Sequence, residues 1–158
     1  MLGIYSVFIE PRLLDSNYLT IPVPGLDEAL DGFTIAQLSD VHLGAFVPVS
    51  TLERLLDAVK QEKPDVLVIT GDLFDSPEPA VNDTATRLLD RYVKCFPDGI
   101  YYVWGNHEYY RDTKAIQQSL AAARIYELRN SSRLVRTGKP PLYFAGVDYP
   151  VTQGVTHV

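Results

Sequence analysis

Three short segments of this chain concentrate side chains able to hold a cation and move a proton. Asp40 and His42 stand one residue apart in Leu38-Ser39-Asp40-Val41-His42. Gly71-Asp72-Leu73-Phe74-Asp75 presents two carboxylates, and Gly105-Asn106-His107-Glu108 an amide, an imidazole and an acid. On an extended or turning backbone Asp40 and His42 can converge on one ion, giving it a hard oxygen and a borderline nitrogen. Asp72 has two oxygens and can bridge two cations, while the neutral amide oxygen of Asn106 suits a second ion without adding charge. A mixed oxygen and nitrogen set favours Mn²⁺, Fe²⁺, Zn²⁺ or Ni²⁺ over Ca²⁺. Two such ions roughly 3.5–4 Å apart can clamp the attacking and departing oxygens of a displacement at phosphorus. His107 is expected to point away from the ions, toward a leaving oxygen, as general acid or as a stabiliser of the transition state. Asp75 is expected to orient a ligand or loop rather than to ligate. Glu108 divides between that supporting role and a helix-side or solvent position. Taken singly, Gly71-Asp72 and Gly105-Asn106 are common turn dipeptides, Asp40 could cap the segment that follows it, and His42 could be a packed loop residue. The chemical reading rests on all three segments occurring together.

Each segment ends an apolar run, and those runs, 33–38, 66–70 and 100–103, read as strands. The last is continuously apolar, which suits burial on both faces. Between the first two, Leu52, Leu55, Leu56 and Val59 recur at helical spacing, predicting a helix that Ser50 or Thr51 can cap and that ends near residue 63. A second helix is expected from 82 or 83 to 96, with Leu88, Leu89, Tyr92, Val93 and Phe96 inward. A third is expected over 114–123, capped by Asp112 or Thr113. Strand, helix and strand in succession imply right-handed crossovers and parallel neighbours. In an open sheet of this kind ligands collect at the carboxyl ends of the strands, where all three segments fall. Upstream, residues 1–10 have partial strand character, and 18–23 reads as an edge strand or lead-in because of Pro22 and Pro24. From 125 the period becomes strand-like, with candidates at 125–128, 133–135 and 142–145. The chain is expected to be one α/β domain: lead-in strands and loop over 1–32, an α/β half with the motifs over 33–123, and the start of a second sheet over 124–158.

With 158 residues and 46% hydrophobic content, the chain can build a single core. Its net charge of -6 argues against a broad nucleic-acid surface; phosphate substrates stay open, because bound metals invert the local field. One cysteine, Cys95, excludes an internal disulfide and a cysteine-rich metal site, and its place in a helical apolar pattern makes it a core thiol. No run reaches the roughly 18 apolar residues of a membrane span, and residues 1–9 lack the basic start of a signal peptide. The chain as it stands is expected to be soluble, and cytoplasmic by default. Trp104 and the tyrosines at 101, 102, 109 and 110 are assigned to core packing before groove lining; Arg136 and Lys139 are expected in solvent.

The sets Asp40-x-His42, Gly71-Asp72-x-x-Asp75 and Gly105-Asn106-His107-Glu108, in this order with helices between them, resemble the calcineurin-like metallophosphoesterases. Leu38-Ser39-Asp40-Val41-His42-Leu43-Gly44, with Ile9-Glu10-Pro11-Arg12 and Ala145-Gly146-Val147-Asp148, is similar to the bacterial, often membrane-associated branch typified by YkuE. The resemblance implies the N-terminal part of a four-layer α/β/β/α sandwich. It implies hydrolysis of phosphomonoesters or phosphodiesters by a metal-activated water at two divalent ions (Mn, Fe or Zn, with Mn favoured). Asp40 and His42 would bind the first ion, Asp72 would bridge, Asn106 would bind the second, and His107 would be the catalytic histidine. Substrates allowed by the family are small phosphate esters and envelope or lipid-linked phosphates, with no nucleic acid expected. A full-length form is expected to associate with a membrane or to be exported. The family pattern continues with a further metal-binding histidine and a Gly-His-x-His motif. This chain has only His42, His107 and His157, and Thr156-His157-Val158 does not fit that motif. The domain is therefore expected to be incomplete at its C-terminal end, its second ion weak, and the chain alone inactive or a non-catalytic metal-binding or interaction protein on the same scaffold. Apolar surface left by an unfinished second sheet is expected to drive oligomerisation.

Overall fold

Val66–Thr70 (β2) pairs in parallel with Ile35–Leu38 (β1) on one side and Ile100–Val103 (β3) on the other. Tyr126–Glu127 (β4) adds to the far edge of β3, also parallel, so the sheet runs in the order β1-β2-β3-β4. The computed structural model describes residues 16–44, 47–76, 78–137 and 141–150. The register sets Leu38 beside Ile69 and Thr70 beside Val103. The three long strands therefore run out at one edge, and the backbone delivers Asp40, Asp72 and Asn106 there in turn.

The helices Val49–Gln61 (α1), Pro79–Tyr92 (α2) and Thr113–Ala122 (α3) carry the chain back between strands. Leu52 and Leu56 of α1, Leu88 and Leu89 of α2, and Ile116 and Leu120 of α3 form one buried cluster with Leu67, Ile69, Ile100 and Tyr102. Alternate strand residues point the other way, as the two-residue repeat of a strand requires. Val66 and Tyr101 form a smaller cluster there with Phe33, Val135 and Phe144. Val135 and Phe144 belong to a hairpin of Ser131–Arg136 (β5) and Leu142–Gly146 (β6), an antiparallel pair separate from the first sheet. A parallel sheet, its helices, and an antiparallel sheet against the opposite face make up the mixed α/β architecture anticipated from the sequence.

Several boundaries differ from the sequence reading. α1 starts at Val49 after Pro48 with no side-chain cap, and neither Ser50 nor Thr51 caps it. α2 starts at Pro79 rather than 82 or 83, since proline at the first helical position loses nothing and has its φ preset. That helix gives way after Tyr92 to a 3₁₀ turn, Val93–Cys95. Asp112 does cap α3, accepting from the Ala115 N–H at 3.0 Å. Residues 18–23 form no strand and are exposed; the prolines at 22 and 24 remove ladder donors. Tyr126–Glu127 completes the first sheet, so the second begins only at Ser131. Cys95 is half-buried against the main core. Arg136 is not simply solvated: its guanidinium pairs with Asp65 at 2.7 Å and Asp98 at 2.6 Å and lies over the Phe33 ring. Residues 1–10, Lys139 and His157 lie outside the described residues. Among the described residues no helix is long and apolar enough to cross a membrane.

Candidate metal centre

The loops after β1 and β2 are zipped together before any ligand is considered. The Asp40 N–H donates to the Gly71 carbonyl, that of His42 to Asp72, that of Leu43 to Leu73, and that of Asp75 back to Leu43. This ladder needs unusual backbone. Asp40, His42 and Asp72 have φ of 55°, 51° and 52°, in the left-handed region. A residue with a Cβ spends roughly 1–2 kcal/mol to sit there, and such strain gathers where the surroundings over-determine a site.

The third loop locks onto the second through Glu108, which is fully buried. Its Oε2 accepts from the N–H groups of Asp72 and Gly105, and its Oε1 from those of Leu73 and Phe74 and from the Tyr102 hydroxyl at 2.6 Å. Burial first, then the Glu108 charge beside it, pushes the Tyr102 phenol well above its usual range, so it stays a donor. Sequence reasoning left Glu108 divided; its place is at the centre of the site, holding two loops. The glycines make the approach possible. A Cβ on Gly105 would lie 2.1 Å from Asp72 Oδ1, and one on Gly71 would lie 2.6 Å from the Gly105 nitrogen.

The candidate ligands then fall into place. The His107 N–H donates to Asp72 Oδ1 at 2.9 Å, leaving Oδ2 facing His42 Nε2 at 3.9 Å. Asp40 Oδ1 lies 4.0 Å from the same His42 nitrogen and its other oxygen accepts from the Ser39 hydroxyl; its side chain is the most exposed of the set. His42, Asp72 and His107 offer ligand atoms all within 4.8 Å of one another. An ion bound at about 2.0–2.2 Å from each ligand tolerates separations up to about 4.4 Å, so closing of a few tenths of an ångström would suffice. Two imidazoles and a carboxylate suit a first-row divalent cation. The donor set fits one metal site. Asn106 is half-buried and immediately precedes the 3₁₀ turn His107–Tyr110.

His107 was expected to point away from the ions. It packs edge-on against His42, with centroids 4.5 Å apart, and its ring offers an atom to the candidate group with His42 and Asp72, a place that suits either ligation or proton transfer beside the ion. The stacked loops leave both rings the same small space at the sheet edge. Its Nδ1 lies 2.8 Å from Asp75 Oδ1, which also accepts from Arg111 Nη2 at 2.7 Å. The His107 hydrogen bond, followed by Arg111, holds the Asp75 carboxyl below its ordinary range against the opposing effect of burial. An ionised Asp75 can only accept, which makes Nδ1–H the donor and leaves Nε2 open. Arg111 was missed; an arginine three residues beyond Glu108 carries no sequence signal of a partner 36 residues away.

On this α/β sheet, acidic and imidazole side chains converge from three strand ends into a candidate metal site. A calcineurin-like phosphoesterase family model matches residues 33–149, and the chain belongs to that family. It is 35% identical over 130 residues to a transmembrane protein with metallophosphoesterase domain from Danio rerio, covering 82% of this chain and 28% of that one. It is 30% identical over 119 residues to the uncharacterized metallophosphoesterase YkuE of Bacillus subtilis, covering 75% and 41%. A UDP-2,3-diacylglucosamine pyrophosphatase, LpxG of Chlamydia trachomatis, is 31% identical over 109 residues, covering 67% and 32%. The chain thus spans well under half the length of these relatives, which come from a vertebrate and from bacteria and single out no branch.

Proposed function

We propose that this chain carries the N-terminal part of the catalytic domain of a metal-dependent phosphohydrolase acting on phosphomonoesters or phosphodiesters at a dinuclear centre. The observation that carries the reading is the group His42, Asp72 and His107, whose ligand atoms all lie within 4.8 Å of one another, with Asp72 Oδ1 held by the His107 N–H and Oδ2 facing His42. Asp40, His42 and Asp72 would hold the first ion, and Asp72 and Asn106 the second, with fewer ligands and therefore weaker binding. Mn²⁺ is favoured, with Fe or Zn²⁺ suiting the same donors. When bound, the ions supply Lewis acidity at the phosphoryl oxygens and acidify a water. The rest falls to the protein. Asp75 accepts from Nδ1–H and orients the ring; His107, when doubly protonated, would give its Nε2 proton to the leaving oxygen as the ester bond breaks and return to the Nδ1–H imidazole. Glu108 keeps the loops carrying Asp72 and Asn106 in register, so the ligands need close by only a few tenths of an ångström.

The substrate class we infer is a small phosphate ester or an envelope or lipid-linked phosphate; the name of the Chlamydia relative supports the lipid-linked alternative. No nucleic acid is implied by a chain of net charge -6. We further infer membrane association of the full-length protein, because the Danio relative is named as transmembrane, and a place in the YkuE-like bacterial branch on the Leu38–Gly44 motif.

The test is hydrolysis of bis-p-nitrophenyl phosphate by the purified protein with and without Mn²⁺, beside Asp72→Ala. Turnover that requires both the metal and Asp72 is expected of the catalytic domain. A folded protein that binds Mn²⁺ through Asp72 yet gives no turnover in any length would instead be a non-catalytic metal binder on this scaffold.

A further inference from the structure

Asp75 stands between two imidazoles. Its Oδ1 lies 2.8 Å from His107 Nδ1, while its Oδ2 lies 4.0 Å from His42 Nδ1, beyond hydrogen-bond reach. The two rings pack edge-on with centroids 4.5 Å apart, so a modest turn of one carboxylate would carry it from the first ring to the second. Asp75 is half-buried, which leaves it room to turn. Arg111 prevents that turn. A single guanidinium nitrogen, Nη2, donates both to the Asp75 backbone carbonyl and to its Oδ1, each at 2.7 Å. Two bonds from one nitrogen to the main chain and side chain of the same residue close a ring that fixes the carboxylate against its own backbone. Arg111 is itself anchored: its backbone N–H donates to the Glu108 carbonyl at 3.2 Å and its Nη1 to the Tyr110 carbonyl at 3.3 Å. A planar guanidinium loses little freedom for each bond it forms.

We propose that Arg111 is a positioning residue that commits Asp75 to His107 and withholds it from His42. For the roles of the two rings, ligand and proton donor, this rests on the phosphohydrolase reading above. His42 turns its Nε2 toward Asp72 and Asp40, at 3.9 Å and 4.0 Å, and its Nδ1 toward Asp75. A carboxylate bonded to that Nδ1 would raise the basicity of His42 as a ligand. The same move would strip His107 of the acceptor that orients its ring. One carboxylate cannot serve both rings at hydrogen-bond distance in this geometry, and Arg111 makes the choice. By holding Oδ1 on the His107 side, it keeps the His107 Nδ1–H bonded and Nε2 directed outward for proton transfer. His42 is left to offer Nε2 to an ion without that partner. Arg111 touches neither ring and acts only through Asp75.

The experiment reads the ring tautomers of the metal-free protein by long-range proton–nitrogen NMR, at about pH 8.5, where a histidine of ordinary pKa, about 6.5, is neutral. In the wild type His107 is expected as the Nδ1–H form, which a free histidine disfavours, and His42 without the deshielded Nδ1 proton of a carboxylate partner. Arg111→Met keeps the aliphatic stem and removes every donor of the guanidinium. In that variant His107 should lose the Nδ1–H form as its major species, and His42 should gain the deshielded Nδ1 proton. Asp75→Ala should cost His107 the same form but give His42 nothing, and adding Arg111→Met to it should move neither ring further. An arginine that merely stabilises the fold would lower the unfolding midpoint and leave both tautomers as they were. The proposal is overturned by a wild-type His107 in the Nε2–H form, by a folded Arg111→Met protein whose His107 keeps Nδ1–H, or by a change at His107 with none at His42. None of these readings needs a metal or turnover. Absence of hydrolysis with Mn²⁺ would therefore count against the phosphohydrolase, and the spectra alone decide the part of Arg111.

Discussion

The Glu108 carboxylate, fully buried, accepts from Tyr102 and from the backbone of both loops that it joins. Glu108→Ala strands those donors, and buried unpaired groups cost about 1–3 kcal/mol each. Urea unfolding of that variant should show a loss on the order of 3 kcal/mol or more, with Mn²⁺ affinity falling as the loops separate; a change within error would mean that water takes the carboxylate's place. His107 raises a different question, because it shares the ligand cluster with His42 and Asp72 while its Nδ1 is held by Asp75. As the proton donor, His107→Asn should lower kcat by roughly 10²–10⁴ and leave Mn²⁺ affinity intact in calorimetry. A matching loss of affinity would make it a ligand.

At the scale of elements, the C-terminal ends of β1, β2 and β3 and the starts of α2 and α3 share one edge, and the stability of those helix starts sets the order of the loops before them. Asp112 is the clearest case: its carboxylate caps α3 on the Ala115 N–H, immediately after the turn that carries His107. Removing it in Asp112→Ala should cost about 1 kcal/mol, read as a shift in the denaturation midpoint. The His107 and Tyr110 ring signals should broaden as the turn loosens. Unaltered ring signals would show that the turn is held by Glu108 alone.

For the whole molecule, the hairpin is tied to the parallel sheet at both ends. Arg136 reaches Asp65 and Asp98, and Arg129 and Tyr109 meet Asp148 beyond the last strand. Burial opposes ionisation of Asp65, but the Thr34 N–H and hydroxyl and then Arg136 outweigh it, and its carboxyl lies below the ordinary range. With a folded pKa below the unfolded value of about 3.9, the unfolded chain binds more protons between the two. That stabilisation is complete above the unfolded value and is lost as pH falls through the folded one. Asp65→Asn should therefore flatten the acid limb of a stability-against-pH curve; an unchanged limb would assign acid unfolding to other carboxylates. Outside the hairpin's cover, Ile35, Tyr143 and Val147 are exposed. We propose that this surface drives self-association of the chain, to be read as concentration-dependent mass in sedimentation.

What the sequence determined by itself was whatever is local. The apolar runs at 66–70 and 100–103 are strands at those bounds because every residue in them is apolar or β-branched, and the helical spacing of Leu52, Leu55, Leu56 and Val59 fixes which face of α1 is buried. Asp40, His42, Asp72 and Asn106 were legible as candidates because residue type and spacing at strand ends already carry chemistry. Tertiary structure decided what depends on partners far along the chain. Glu108 looked ambiguous because five donors reach it from Asp72, Leu73, Phe74, Tyr102 and Gly105, none marked by its own neighbourhood. Arg136 looked solvated because Asp65 lies 71 residues away. His107 joined the cluster because the left-handed turns at Asp40, His42 and Asp72 press the loops together. Those turns are tolerated only because the hydrogen bonds between loops offset their strain, a balance that exists once the strands are side by side.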